Sequence, residues 1–325
     1  MNTTVLGAGA WGTALALLLH RNGHAVTLWG HNPADLADLA ATRRNPRYLP
    51  GVELPADWRT DPDARAACVG AGLVIMAVPS RGVREVAAAL ADYAGLVVSV
   101  TKGIEFASGL TMSGVIESAA PRATVVALSG PTLAAEVAGG LPAAVVVAGE
   151  ENAASEAQTA LHQPLFRVYR NADRLGVELG GALKNVIAIA AGACDGLGYG
   201  DNAKAALLTR GAAEMRRLGV DCGAHAETFA GLSGLGDLTI TCCSKLSRNR
   251  TLGERLGRGE RLADIIASTP AAAEGVPTAT AALRLAERHG VDTPIIREVE
   301  AMLHRGKDLR RAVHDLLRRD SKAED

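Results

Sequence analysis

Lys184 is the residue whose surroundings point most directly to acid–base chemistry. It lies in Gly180-Gly181-Ala182-Leu183-Lys184-Asn185, a segment with a helical pattern. On a helix its neighbours on the same face are Gly180, Gly181, Ile187 and Ala188, all small or apolar. Burial among such residues lowers the pKa of a lysine towards neutral, where it can act as a general acid or base. The alternative is a surface lysine whose apolar stem lies along the helix.

Two further segments supply groups that could act together with Lys184. Lys102 follows an apolar strand pattern at Leu96–Val100, and ligands bind beyond the carboxyl ends of strands in parallel sheets. Asp237 lies in the glycine-rich segment Gly231–Thr239, where the glycines allow a ligand or another backbone to come close. We therefore expect Asp237 to orient a lysine. An ordinary exposed loop lysine is the alternative for Lys102.

A third segment has the composition of an anion-binding site. Ser247, Arg248 and Asn249 open a helical pattern that continues to Arg258. The first turn of a helix presents free backbone N–H groups, and an arginine there adds charge-assisted hydrogen bonds. This arrangement suits a phosphate or a carboxylate.

The segment Gly7-Ala8-Gly9-Ala10-Trp11-Gly12 predicts a dinucleotide site. It joins a strand pattern at Thr3–Leu6 to a helical pattern at Trp11–Arg21, and a second strand pattern follows at Val26–Trp29. In such motifs the first glycine forms the tight turn, the second admits the pyrophosphate, and the third lets helix and strand pack closely. A glycine-rich turn without a ligand is the alternative.

The end of the second strand bears on which nicotinamide cofactor is used. An NAD-preferring site usually has an acidic residue at this position, which binds the ribose 2′-hydroxyl. This chain has Gly30-His31-Asn32 there. Because no carboxylate is present there, the sequence permits NADPH as well as NADH. His31, Arg43 and Arg44 are candidates for the additional phosphate, and solvated loop charges are an equally good interpretation.

These residues must be positioned by two different kinds of architecture. Up to about residue 170, apolar strand patterns alternate with helical patterns, which predicts a doubly wound, mostly parallel α/β (Rossmann) domain over residues 1–175. Beyond it helical patterns dominate, which predicts an all-α domain over residues 176–325. The strand patterns are Thr3–Leu6, Val26–Trp29, Leu73–Val78, Leu96–Val100, Thr124–Leu128, Ala144–Val147 and Phe166–Tyr169.

Composition excludes several classes of protein. The 325 residues carry 34 basic and 35 acidic side chains, a net charge of −1, and 48% are hydrophobic. This balance is unlike that of disordered chains or of proteins that bind nucleic acids. The five cysteines lack CxxC spacing and the histidines lack metal-binding spacing, so we predict free thiols, a cytoplasmic location and no metal site. No apolar run is long enough to predict a membrane span.

Together, these motifs make the chain resemble the bacterial NAD(P)-dependent glycerol-3-phosphate dehydrogenases. The matching segments occur in the family's order and are Gly7–Ala14, Arg44–Gly51, Ala77–Ser80, Lys102–Glu105, Ser129–Thr132, Gly181–Asn185, Gly234–Leu238 and Ser247–Arg250. The resemblance implies a Rossmann domain joined to a helical domain like that of 6-phosphogluconate dehydrogenase. It also implies reduction of dihydroxyacetone phosphate to sn-glycerol 3-phosphate with NAD(P)H, for phospholipid synthesis, by a homodimer.

The resemblance further implies roles for individual residues. Lys184 would exchange a proton with the substrate C2 oxygen, with Asp237 beside it, and Lys102 would contact both substrate and cofactor. Arg248 would reach the phosphate and the cofactor. The other implied contacts are Gly130, Thr132, Ser247 and Asn249 for the substrate, and Gly7, Gly9, Ala10, Trp11, Gly12, His31, Ala134 and Glu274 for the cofactor.

The chain departs from the family pattern in the segment after Gly130. Thr132 replaces the usual serine, Leu133 the usual phenylalanine, and Ala135 a more typical lysine. The hydroxyl at position 132 is kept but gains a methyl group, which affects fine positioning rather than the reaction.

Two other functions are compatible with the sequence. One is a two-domain NAD(P)-dependent dehydrogenase acting on a hydroxy acid or an acyl-CoA, which would not need the Ser247-Arg248-Asn249 segment. The other is a non-catalytic NAD(P)H sensor, which would keep the glycines but would not need Lys184. The nearest approach to a nucleic-acid-binding patch is Arg305–Arg319, and interspersed acids favour a solvated amphipathic helix there.

Overall fold

A computed structural model describes residues 1–269, 273–320 and 323. All seven strand patterns form strands, and three short strands occur that the sequence did not predict: β3, β4 and β5. The strands are β1 (Asn2–Leu6), β2 (Ala25–Trp29), β3 (Arg44–Asn45), β4 (Leu49–Glu53), β5 (Arg59–Thr60), β6 (Leu73–Met76), β7 (Leu96–Ser99), β8 (Thr124–Ser129), β9 (Ala143–Ala148) and β10 (Phe166–Asn171).

The main sheet has eight strands in the order β10-β9-β8-β7-β6-β1-β2-β5. From β8 to β5 all neighbours are parallel, whereas β9 pairs with β8 in the antiparallel sense and β10 pairs parallel to β9. β3 and β4 form a separate antiparallel hairpin. The carboxyl ends of β1, β6, β7 and β8 therefore meet at one edge, where a doubly wound sheet binds ligands.

Helices cover both faces of the main sheet, and its central strands are buried at nearly every position. In β1, Val5 faces the core formed with α1 and α7, whereas Leu6 faces the core formed with α3, α4 and α5. The predicted Rossmann architecture is confirmed. The helices of this part are α1 (Ala10–Arg21), α2 (Pro33–Thr42), α3 (Ala64–Ala67), α4 (Val83–Ala88), α5 (Met112–Ala119), α6 (Ala134–Ala138) and α7 (Glu151–Leu161).

After β10 the described residues form helices only, as predicted. The proposed domain boundary at residue 175 falls in the first turn of the first of these helices. They are α8 (Arg174–Gly196), α9 (Asp201–Asp221), α10 (Asp237–Cys243), α11 (Arg248–Gly257), α12 (Leu262–Ser268), α13 (Gly275–His289), α14 (Pro294–His304) and α15 (Leu309–Leu317).

The long helix α8 is the centre of the helical domain. α9, α10, α11, α13 and α14 all pack against it. By length and composition α8 alone among the described helices could cross a membrane, but 89% of its apolar stretch is buried inside the protein. Its hydropathy is therefore explained by its position in the core.

The glycine-rich segment Gly231–Thr239 is largely helical, although so many glycines favour a loop. Leu232–Gly236 forms a single π-helical turn that leads directly into α10. A Cβ atom on Gly234 would lie 2.1 Å from the carbonyl oxygen of Phe229, and one on Gly180 would lie 2.8 Å from that of Ser233. The glycines thus allow this turn to pack against its own chain and against α8, which fixes the start of α10.

Candidate active site

The glycine motif adopts the geometry of a dinucleotide-binding turn. Gly7 has a φ of +128°, and a Cβ atom there would lie 2.5 Å from the carbonyl oxygen of Ala77. A Cβ atom on Gly12 would lie 1.9 Å from the carbonyl oxygen of Gly7. On Gly9, by contrast, it would meet no atom within 4 Å among the described residues. Gly7 and Gly12 are therefore required by the protein's own packing, whereas the space beside Gly9 is open to a ligand.

The N-terminus of α1 is suited to a pyrophosphate. Gly9 is the N-cap residue and provides no side chain to cap the helix. The first N–H groups and the positive end of the helix dipole thus face the carboxyl edge of the sheet. The side chain of Asn45 braces this turn, because its Nδ2 donates to the carbonyl oxygen of Ala8 and to Thr13 Oγ1, both at 2.9 Å. These observations fit a bound dinucleotide.

Lys184 lies on α8 and is almost completely buried, with 6% of the residue exposed. Its Nζ donates to Asp237 Oδ1 and to Thr241 Oγ1, each at 2.6 Å. Asp237 and Thr241 are one turn apart on α10, so the same face of that helix supplies both acceptors. Asp237 has no exposed surface.

Lys102 comes from the other domain and contacts the same carboxylate. It follows β7, and its Nζ donates to Asp237 Oδ2 and, at 3.3 Å, to the carbonyl oxygen of Gly130. Gly130 has a φ of +145° and follows β8. Two ammonium groups thus share one buried carboxylate at the domain junction, and the cluster has a net charge of +1.

Burial lowers the pKa of Lys184 from 10.5 to about 8. The negative charge of Asp237 opposes this shift, and the positive charge of Lys102 reinforces it. Close packing produces the burial: a Cβ atom on Gly181 would lie 2.6 Å from Ser129 Oγ and 3.4 Å from Lys102 Cγ. A pKa in this range would allow Lys184 to exchange a proton near neutral pH, the role predicted from its neighbours in the sequence.

The Ser247-Arg248-Asn249 segment forms the start of α11, as expected. Ser247 is the N-cap residue, and its Oγ accepts from the backbone N–H of Arg250 at 3.3 Å. Asn249 Nδ2 donates to Asn185 Oδ1 at 2.9 Å, and Asn185 directly follows Lys184. This contact links the start of α11 to α8, next to Lys184.

Arg248 is exposed at this turn, and the half-buried carboxylate of Glu274 lies near it. Surrounding protein atoms displace water from the Arg248 guanidinium and thereby lower its pKa. The negative charge of the Glu274 carboxylate opposes this shift. Part of the Arg248 side chain still contacts solvent. Glu274 accepts hydrogen bonds from the backbone N–H of Ser80, at 3.2 Å, and from the Ser80 hydroxyl. Glu274 therefore contacts the carboxyl edge of the sheet, beyond β6.

The remaining predicted residues lie around the same edge. Thr132 Oγ1 donates to the carbonyl oxygen of Gly130 at 3.2 Å, and Ala134 is the first residue of α6. Trp11, in the first turn of α1, is half-buried against Phe166, with 6.5 Å between ring centroids. His31 is exposed beyond β2, separated from β7 by β6 and β1. The described contacts do not connect His31 to the lysine cluster.

Three polar residues of the site were not singled out from the sequence. Thr241 contacts Lys184, Ser80 contacts Glu274, and Asn45 braces the glycine motif. Thr241 stands four residues after Asp237, a spacing that would have identified it had α10 been predicted. Ser80 and Asn45 lay within motifs carrying the resemblance, but their contacts are long-range and have no local signal.

The fold and the site define a dehydrogenase that uses a nicotinamide dinucleotide and carries a helical second domain. Models of the N- and C-terminal domains of NAD-dependent glycerol-3-phosphate dehydrogenase match residues 2–155 and 173–314. The chain belongs to the NAD-dependent glycerol-3-phosphate dehydrogenase family.

Individual relatives match over nearly the whole chain. A glycerol-3-phosphate dehydrogenase [NAD(P)+] of Koribacter versatilis is 49% identical, with 98% of each chain covered. That of Prosthecochloris aestuarii is 48% identical, with 100% of each chain covered. The crystal structure of the Coxiella burnetii glycerol-3-phosphate dehydrogenase is 38% identical, with a TM-score of 0.94 over 98% of this chain and 99% of that one.

Proposed function

We propose that this protein reduces dihydroxyacetone phosphate to sn-glycerol 3-phosphate, reversibly, with NADPH or NADH, and that Lys184 is the general acid of the reduction. The observation that carries the proposal is the buried cluster in which Lys184 and Lys102 share Asp237 at the carboxyl edge of the sheet. The relatives are glycerol-3-phosphate dehydrogenases by name, which supports the choice of substrate.

The cofactor is held along the carboxyl edge of the sheet. The open space at Gly9 and the first N–H groups of α1 would hold the pyrophosphate, and His31, exposed beyond β2, would contact the cofactor. When bound, the reduced nicotinamide supplies the hydride for the substrate carbonyl carbon. The residues assigned to the cofactor are Gly7, Gly9, Ala10, Trp11, Gly12, His31, Lys102, Ala134, Arg248 and Glu274.

Lys184 protonates the substrate oxygen. As the carbonyl is reduced, negative charge develops on its oxygen, and a positioned ammonium group both stabilises this charge and donates a proton. Asp237 fixes the direction of the Lys184 ammonium through the 2.6 Å contact. Lys102 adds positive potential and, with Gly130 and Thr132, lines the sheet side of the site. In the reverse reaction, neutral Lys184 accepts the proton.

The phosphate of the substrate binds at the start of α11. Ser247, Arg248 and Asn249 provide a hydroxyl, a guanidinium and an amide there, at the positive end of a helix dipole. The contact between Asn249 and Asn185 places this anion site next to the helix that carries Lys184. A substrate with a carbonyl and a phosphate close together fits this pair of sites.

The wider cellular setting follows from the reaction. The product is the backbone of glycerophospholipids, so we assign the enzyme to phospholipid synthesis. All five cysteines are unpaired thiols in the structure, in keeping with a reducing cytoplasm. We expect a homodimer, as the family resemblance implies.

An assay of NADPH oxidation tests the function. Dihydroxyacetone phosphate should be reduced much faster than any member of a panel of 2-keto acids, and sn-glycerol 3-phosphate should be oxidised in the reverse direction. Rapid reduction of a keto acid with no turnover of dihydroxyacetone phosphate would instead indicate a hydroxy-acid dehydrogenase. Kinetics with NADH and NADPH side by side determine the cofactor preference.

A further inference from the structure

Arg250 follows the proposed phosphate-binding residues directly, but its side chain is buried inside the protein. Only 9% of it is exposed. Its Nη2 lies 2.7 Å from Asp195 Oδ2, and its Nη1 lies 3.1 Å from Glu254 Oε2. The Nε–H has no partner among the described residues. A buried arginine held in this way cannot bind a ligand in the cleft, so its role lies in the packing of α11.

Asp195 connects this arginine to the helix of the proton donor. It lies in the last turn of α8, three turns beyond Lys184. Its carboxylate also binds the Lys204 ammonium, at 3.0 and 2.9 Å. The Arg250–Asp195 ion pair therefore attaches the first turn of α11 to α8.

The contact between α8 and α11 is made of backbone and glycines. A Cβ atom on Gly192 would lie 1.9 Å from the carbonyl oxygen of Arg250, and one on Gly253 would lie 2.0 Å from that of Ile189. Glycines allow helices to approach this closely. They also leave few side-chain ridges to fix how far one helix slides along the other. Polar contacts must supply that restraint.

Two polar contacts restrain the start of α11 in this way. One is the hydrogen bond between Asn249 and Asn185, and the other is the Arg250–Asp195 ion pair. The two contacts start from neighbouring residues of α11, Asn249 and Arg250. On α8 their partners are ten residues apart. Loss of either allows the anion-binding turn to shift relative to Lys184.

We propose that Arg250, acting through Asp195, is a positioning residue that sets the distance between the phosphate site and Lys184. This inference rests on the proposed function, because it requires one substrate to engage both sites. Misplacement of bound groups by about 1 Å can cost a hundredfold in rate. A substrate without a phosphate does not use the turn, so its reduction is insensitive to this distance.

The ion pair can be removed without leaving a buried charge alone. When Arg250 is replaced, Asp195 keeps Lys204, and Glu254 keeps its ion pair with Arg258. This differs from the usual loss of one partner of a buried pair, which is strongly destabilising. Arg250→Met replaces the unbranched stem of the side chain and removes the guanidinium, and Arg250→Lys retains the charge without the planar fork.

The test compares Arg250→Met, Arg250→Lys and the control Lys204→Met with the parent enzyme. The control removes the other cation on Asp195 but leaves α11 attached. We expect Arg250→Met to lower kcat/KM for dihydroxyacetone phosphate by at least about tenfold and kcat/KM for dihydroxyacetone by less than about twofold. Arg250→Lys should fall between Arg250→Met and the parent. Lys204→Met should stay within about twofold for both substrates.

Three results would overturn the assignment: equal losses on the two substrates, the same losses in Lys204→Met, or no loss in Arg250→Met. NADPH affinity, measured by fluorescence, and melting temperature accompany the kinetics, and a selective loss at unchanged NADPH affinity supports positioning. Failure of the proposed function is distinguishable, because the parent enzyme itself would then show no preference for the phosphorylated substrate.

Discussion

Lys184 and Asp237 form a buried ion pair 2.6 Å long at the junction of the two domains. The second oxygen of the same carboxylate accepts from Lys102, which follows β7 of the Rossmann domain, whereas Lys184 and Asp237 belong to the helical domain. The cluster is therefore complete only when the domains are docked. Since one carboxylate neutralises only one of the two ammonium groups, the cluster can still attract a substrate anion and its developing charge.

Replacing Lys184 by alanine should remove the proton donor and leave the fold intact. Asp237 remains paired with Lys102, so no buried charge is left alone. General acid–base catalysis typically contributes 10²–10⁴-fold, and we expect kcat to fall by at least about 10²-fold. Steady-state assays measure the loss, and NADPH binding measures the integrity of the site. Lys307→Ala, in the segment between α14 and α15, is the control and should retain the parent kcat. Near-parent turnover in Lys184→Ala would rule out Lys184 as the proton donor.

The lowered pKa of Lys184 predicts opposite pH profiles in the two directions. Reduction needs the ammonium form, so its kcat/KM should be level below about pH 8 and decline above it. Oxidation needs the neutral amine, so its kcat/KM should rise towards about pH 8 and then level off. An unshifted lysine would place both transitions near its ordinary pKa of 10.5. pH profiles whose only inflection lies near pH 10.5 would show that burial does not lower the pKa of Lys184.

The Asp237→Asn variant tests which charge opposes that shift. The negative charge of Asp237 raises the pKa of Lys184, whereas burial and Lys102 lower it. Without the carboxylate, the pKa of Lys184 should fall below 8. The pH at which kcat/KM for reduction begins to decline should therefore be lower than in the parent enzyme. Asp264→Asn makes the same chemical change at an exposed acid of α12 and should leave the profile in place. A profile that stays unchanged in Asp237→Asn would show that the carboxylate does not control this lysine.

Much of this site was predictable because its residues stand in strong local patterns. The buried strands β1, β6, β7 and β8 are runs of apolar and β-branched residues, and they fix where Gly7, Lys102 and Gly130 must lie. The apolar face of α8 similarly predicted the burial of Lys184. In these places local pattern and tertiary packing favour the same structure.

The parts that were missed depend on tertiary contacts. β3 and β5 have two residues each, too few to show a period of alternation. The turn before α10 is rich in glycine, which favours a loop in isolation, and only packing against Phe229 and α8 makes it helical. The contact between Ser80 and Glu274 joins residues 194 positions apart. No local pattern could have indicated it.

Two glycines of the nucleotide-binding turn should respond differently to alanine. In Gly9→Ala the new methyl group meets open space in the protein but occupies the place of the pyrophosphate. We expect NADPH affinity to fall by at least about tenfold, or about 1.4 kcal/mol, with an unchanged melting temperature. In Gly12→Ala the methyl group would lie 1.9 Å from the carbonyl oxygen of Gly7. That variant should lose about 1–3 kcal/mol of unfolding free energy.

The comparison of these two variants is made by fluorescence titration and by chemical denaturation. Each serves as the control for the other, because the chemical change is identical and the sites are three residues apart. Equal stability losses, or a Gly9→Ala variant that binds NADPH as tightly as the parent, would argue against a pyrophosphate site beside Gly9.

Arg248→Ala should mainly weaken binding of the phosphorylated substrate. A charge-assisted hydrogen bond contributes about 1.5–3 kcal/mol, which corresponds to a rise in KM of about 10- to 100-fold. Dihydroxyacetone lacks the phosphate and should be reduced with little change when NADPH is saturating, because the contact of Arg248 with the cofactor then does not limit the rate. Arg258→Ala, at the far end of α11, removes an exposed guanidinium and should leave both substrates unaffected, since surface ion pairs contribute little. If Arg248→Ala raised KM equally for both substrates, the guanidinium would be acting on the cofactor or the carbonyl rather than on the phosphate.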